Sequence, residues 1–212
     1  MASSYDSNIW LELVKTLPSV VTAITAIIGV KIGAHGLKKW REETIGKRKT
    51  ELAEDVLSGF YQIRDIVRAI RSPMSFSGES KDRPKEEHES EVESRLKDSY
   101  YVTIARYDEH GKAIADLMTK QYRMKAMFGA EAVEPFIQLH RILSEIIVAA
   151  RMLITTDDRE RSGNSPTVVD QCRKWEAVIW WGAEEKDALE KKLDSAILEM
   201  ERVCRPILET QK

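Results

Sequence analysis

Cysteine is scarce in this chain. Cys172 and Cys204 are the only two among 212 residues, too few for a disulfide scaffold. Both fall on apolar helical faces, which suits small buried hydrophobes. A catalytic thiol would need an exposed, electropositive setting. Proline and glycine are also few, at six and ten, and they cluster at the ends of periodic segments. No stretch reads as a strand, and no internal repeat is visible. An excess of one charge sign is missing too: the net charge of −2 gives no global drive toward nucleic acid.

Catalytic signatures are missing as well. A di-metal bundle site needs Glu-x-x-His on two helices. The residues three before His110 and His140 are Tyr107 and Ile137. "IGKRKT", Ile45 to Thr50, contains Gly-Lys but lacks the earlier glycine and the following Ser/Thr of a P-loop. There is no GxSxG, no Cys–His constellation and no dinucleotide fingerprint. Glu86, Glu87, Glu89, Glu91 and Glu93 have no His or Cys partners at ligand spacing. They suit the solvated start of a helix better than a metal site. No catalytic, cofactor-binding or metal-binding residue is assigned from these patterns, and the sequence calls for no cofactor.

What is present is helix-forming. Hydrophobic residues make up 42% and charged residues 32% of the chain, the balance of a globular protein and not a disordered one. Ala, Leu, Glu, Lys, Arg and Met dominate the long segments. The expected fold is all-α: a single N-terminal transmembrane helix, then a cytoplasmic antiparallel bundle with two long helices.

The transmembrane reading rests on Thr16–Leu37, 22 residues whose one certain charge is Lys31. About 20 apolar residues cross the ~30 Å hydrocarbon core. Lys31 lies six residues from Leu37, about 9 Å along a helix axis, so its ammonium can snorkel to the headgroups. Pro18 falls near the helix start, where its missing N–H costs least. Trp10 and Trp40 flank the run as interfacial anchors. Lys38, Lys39, Arg41, Lys47, Arg48 and Lys49 follow it. This basic flank places the C-terminal domain in the cytoplasm and the N-terminus outside, and it can also attract anionic lipid. The alternatives are a buried helix of a soluble protein and a cleaved signal. The signal reading lacks a positive n-region, since Asp6 and Glu12 precede the run.

Ser19, Thr22, Ala26, Gly29, Gly33 and Gly36 step by three and four residues along this segment. Such a stripe of small residues is a packing face for helix association in lipid. The stripe points either to a homo-oligomer through this helix or to chance, since membrane helices are rich in glycine and alanine.

The remainder divides in sequence as follows. Residues 1–15 form an N-terminal segment, 38–71 a juxtamembrane and first cytoplasmic helix, and 72–85 a linker. Residues 86–212 form a bundle completed by 45–71. Ile45, Leu52, Val56, Phe60, Ile63, Val67 and Ile70 give the first face. Leu96, Tyr100, Thr103, Tyr107, His110, Ile114, Leu117, Gln121, Met124 and Phe128 predict one continuous helix with a coiled-coil-like, partly polar seam. Gly111 is its expected close-packing point, and Gly129 its stop. Val133–Ile154 is apolar almost all round and is the expected bundle centre. Two further helices are expected, at about Thr167–Trp181 and Glu184–Leu208. Trp175, Trp180 and Trp181 cannot all share one narrow stripe: they form either a broad core-facing surface closed over by the last helix or, at Trp180 and Trp181, a candidate partner surface.

The function these features suggest is a membrane-anchored helical interaction or scaffold protein without catalysis, with the bilayer and an unidentified protein as partners. A small oligomeric membrane effector is the first alternative. An enzyme with a site invisible in the sequence is the second.

Overall fold

Heptad-like spacing alone dictates much of the core. In the computed structural model, the described residues are 3–156, 166–182 and 187–209; for 3–21, 23, 24 and 27 the description covers the backbone alone. The chain divides into two units, Met1–Lys49 and Thr50–Lys212. Among the described residues the secondary structure is entirely helical. Helix α1 covers Ser3–Ile70, α2 Glu91–Glu109 and α3 Gly111–Phe128. A short 3-10 turn, Glu131–Val133, leads into α4, Glu134–Thr155. Helices α5, Pro166–Ile179, and α6, Ala188–Glu209, complete the order. Among the described residues no helix is long and apolar enough to cross a membrane.

The second unit is a helical bundle. Leu52, Val56, Phe60, Ile63, Val67 and Ile70, spaced by three and four, are all buried, whereas Ile45, expected on the same face, is 43% exposed and belongs to the first unit. The buried ones pack with Ile114 and Leu117 of α3, Phe136 and Leu139 of α4, and Leu193 and Met200 of α6. Phe60 and Phe136 meet edge to face at 5.1 Å between ring centres. A second cluster joins Tyr100 of α2, Ala150 and Leu153 of α4, and Cys172 and Ile179 of α5. Helix α4 feeds both clusters and contacts α2, α5 and α6. It therefore holds the central position its composition predicts, although Val148 and Met152 remain exposed.

The continuous helix expected across Gly111 is instead two helices. His110 sits at φ −90°, ψ 2°, outside the helical region, and its N–H still bonds to Arg106 O. Helix α3 restarts at once, with Ile114 N–H donating to His110 O at 3.1 Å. A glycine next to the break carries the poorest helix propensity short of proline. Because a single residue leaves the helix, the apolar seam keeps its phase. Nor is Gly111 a close-packing point: a Cβ there would meet nothing within 4 Å. The tight approach is at Gly59, where a Cβ would come within 2.7 Å of Leu117 Cδ1.

Helix α2 begins at Glu91, later than the acidic run suggests. Ser90 is its N-cap, with Oγ accepting from Glu93 N–H at 3.2 Å. Helix α3 ends at Gly129, whose φ of 94° is one that side chains resist. Gly182, at φ 79°, likewise turns the chain after α5. The expected start of the last helix at Glu184 lies outside the described residues, as does most of the loop expected at Thr155–Pro166.

Candidate functional site

Two regions carry the residues singled out in the sequence. The first is α1 up to Lys49. Thr22, Ala26, Gly29, Gly33 and Gly36 are exposed there. A Cβ at any of the three glycines would meet nothing within 4 Å, so none of the described residues covers them. The side chains of Ser19 and Trp10 lie outside the described residues. Trp40 is 63% exposed. In the basic flank, Lys38 pairs with Glu42 at 4.0 Å and Lys39 with Glu43 at 3.9 Å. Both are exposed i,i+4 pairs, worth a few tenths of a kcal/mol each. Arg41, Lys47 and Arg48 are exposed and Lys49 is half-buried.

The second region surrounds Trp180 and Trp181, and the structure separates the two. Trp180 is half-buried, its ring 5.5 Å from that of Tyr100. The Tyr100 hydroxyl in turn donates to Glu176 at 2.6 Å. Trp181 points outward, 47% exposed. It lines a cleft of about 680 Å³ with Val67, Arg68, Glu190 and Leu193. Arg68 and Glu190 pair across this cleft at 2.7 Å.

Three buried arginines hold these features in place, and sequence periodicity did not reveal them. Arg71 donates from Nε to Val178 O at 2.7 Å, and from Nη2 to Ala177 O and Trp180 O at 2.9 and 3.3 Å. These carbonyls belong to the end of α5, where the helix leaves acceptors without partners. Nη1 reaches Asp187 at 2.8 Å. Burial pushes the Asp187 carboxyl up, but Arg71 and the backbone N–H groups of Glu190 and Leu189 outweigh this and hold it below its usual range.

Arg106 serves the end of α1 in the same way, donating to Ala69 O at 3.1 Å and Ser72 O at 2.9 Å. It also grips both oxygens of Glu79 at 2.9 Å, and this contact draws the Glu79 carboxyl down. Arg83 is forked onto both oxygens of Glu89 at 2.7 Å and also binds Asp98. The Arg83 hydrogen bond holds the Glu89 carboxyl down at about 2. The segment read as a linker, Ser72–Lys85, is therefore non-helical but firmly pinned. One weak signal was available: Arg71 continues the buried register four residues beyond Val67.

Among the described residues, no group of three or more His, Cys, Asp or Glu side chains could hold a metal ion. Cys172 and Cys204 are both buried, and burial pushes the Cys204 thiol up to about 11. The arrangement is thus one of rigid helix ends around an exposed tryptophan, with a separate exposed apolar helix segment. Searches of protein-family models, curated proteins and solved structures returned no match to this chain.

Proposed function

We propose that this protein is a membrane-anchored helical interaction protein, held by the apolar segment of α1 and presenting its bundle to a protein partner. The observation that carries the reading is apolar exposure on opposite sides of one helix. Ile28 and Val30 are both exposed, Val30 at 71%, yet they lie about 200° apart around the helix axis. Ile32 and Leu37 are exposed too. A partner groove would cover one face only, whereas hydrocarbon covers all of them. The span read from the sequence, Thr16–Leu37, also includes residues whose side chains lie outside the described ones. The cationic flank at Lys38–Lys49 sets the orientation, N-terminus outside and bundle in the cytoplasm.

Within this reading Trp181 is the partner-facing residue, because it combines a large indole with a rigid backbone. Its N–H donates to Arg71 O at 3.0 Å. An exposed, preorganised aromatic beside a cleft has the character of an interface anchor. The oligomeric effector is the second reading. It is favoured by one observation, the uncovered glycines at 29, 33 and 36, which leave room for a second copy of the helix.

Fractionation tests the anchor. The full chain should sediment with membranes and stay there through alkaline carbonate and 1 M-scale salt; release by salt alone contradicts anchoring. Crosslinked oligomers should weaken in Gly29→Ile plus Gly33→Ile, and unchanged crosslinking removes the effector reading.

A further inference from the structure

We infer that the groove between α4 and α6 is a binding site for a compact polyanion carrying a phosphomonoester or pyrophosphate group. This inference does not rest on the membrane reading. The groove has a volume of about 620 Å³, within the ~300–1,000 Å³ range of small-molecule sites. Arg141 of α4 and Lys191 and Lys192 of α6 line it, and among the described residues Glu145 is the single lining carboxylate. Gln138 and Ser195 add neutral hydrogen-bonding groups.

The cations differ in their commitments. Lys192 is held in place, its ammonium donating to both oxygens of Glu145 at 3.0 and 2.8 Å. Gln138 gives its amide to Glu199 at 2.8 Å. The side chains of Arg141 and Lys191 make no hydrogen bond or ion pair among the described residues, although both line the same concavity. The buried guanidiniums of Arg71, Arg83 and Arg106 are filled by protein acceptors, whereas that of Arg141 is exposed at the groove and open to a ligand.

The chemistry then selects the ligand. A guanidinium offers a planar fork that matches two phosphate oxygens. A lysine ammonium adds a point charge that favours a dianion over a lone carboxylate. With Arg141 and Lys191 uncommitted among the described residues and Lys192 neutralised by Glu145, a phosphoryl dianion balances the site. The same group can arrive on a soluble molecule or on a lipid headgroup.

The test uses the full chain in zwitterionic detergent micelles, titrated calorimetrically in two arms. One arm adds inorganic pyrophosphate; the other adds micelles doped with phosphatidic acid. Saturable binding is expected in at least one arm. It should weaken at least tenfold in Arg141→Glu plus Lys191→Glu, with circular dichroism unchanged because both residues are exposed. Glu145→Gln should tighten it several-fold by releasing Lys192. Pyrophosphate binding assigns a soluble ligand, and binding to the doped micelles alone assigns a lipid headgroup. Absence of saturable binding in both arms overturns the site. So does binding that the double variant leaves intact, or that Glu145→Gln weakens.

Discussion

Arg71 and Asp187 form an ion pair at 2.8 Å that closes two helix ends at once. The guanidinium fills carbonyls at the end of α5. The other carboxylate oxygen, Oδ1, accepts from Leu189 and Glu190 N–H at 3.0 Å, capping α6. Charge and dipole agree at both ends: a cation meets the C-terminus and an anion the N-terminus.

This double role sets an order among variants. Asp187→Ala loses both the cap, about 1 kcal/mol, and the partner of a buried cation, about 3–5 kcal/mol. Asp187→Asn keeps a capping oxygen and loses only the charge. Urea unfolding should rank the chains wild type, Asp187→Asn, Asp187→Ala in falling stability. Equal stability for the two variants contradicts the capping role.

Arg106 predicts a local effect. Arg106→Lys keeps the charge but cannot hold Ala69 O, Ser72 O and both Glu79 oxygens together. Limited proteolysis should cut within Ser72–Lys85 in that variant and spare the same segment in the wild type. Equal cleavage would mean that the loop is pinned by something other than this guanidinium.

The depressed carboxyls predict an acid limb. Glu89 titrates at about 2 when folded against an ordinary 4.5, and Glu79 is shifted in the same direction. Between these values the unfolded chain binds more protons than the folded one, so stability rises with pH there. The contribution is fully present above about 4.5 and is lost as pH falls toward 2. The urea midpoint should fall steadily through that window. Glu89→Gln should lower stability at neutral pH and flatten the acid slope. An unchanged slope contradicts the Arg83–Glu89 assignment.

The two neighbouring tryptophans should behave differently. Trp180 packs on Tyr100, and Trp180→Ala should cost roughly 2–3 kcal/mol. Trp181 is exposed, and Trp181→Ala should stay within about 0.5 kcal/mol of wild type. Iodide quenching of fluorescence should lose an accessible component in Trp181→Phe but not in Trp180→Phe. Equal quenching in both contradicts the separation.

Apolar registers were legible in the sequence because they repeat. The faces of α1 and α4 follow from spacing by three and four, and even the seam through Tyr100, Ile114 and Met124 survives the break at His110. The break itself was not legible, since one residue leaving the helix shifts no apolar position. The polar devices were hidden for another reason. Arg71 and Arg106 are buried through partners distant in sequence, Arg83 through Glu89 and Asp98 a few turns on, and an arginine among 33 cations carries no mark of either. Ser72–Lys85 had the composition of a free linker because most of its anchors lie outside it, in Glu89 and in Asp98 and Arg106 of α2. The cleft beside Trp181 depends on how three segments converge, which periodicity does not encode.

The anchor is the centre of the account, and a depth measurement at Ile28 tests it most directly. Cys172 and Cys204 are buried, with the Cys204 thiol pushed up to about 11, so a spin label on Ile28→Cys should attach selectively. With the full chain in liposomes, that label should be relaxed strongly by oxygen and weakly by an aqueous nickel chelate, as hydrocarbon burial requires. A label at Ile28 that nickel reaches as freely as one on Lys120→Cys would contradict the membrane anchor.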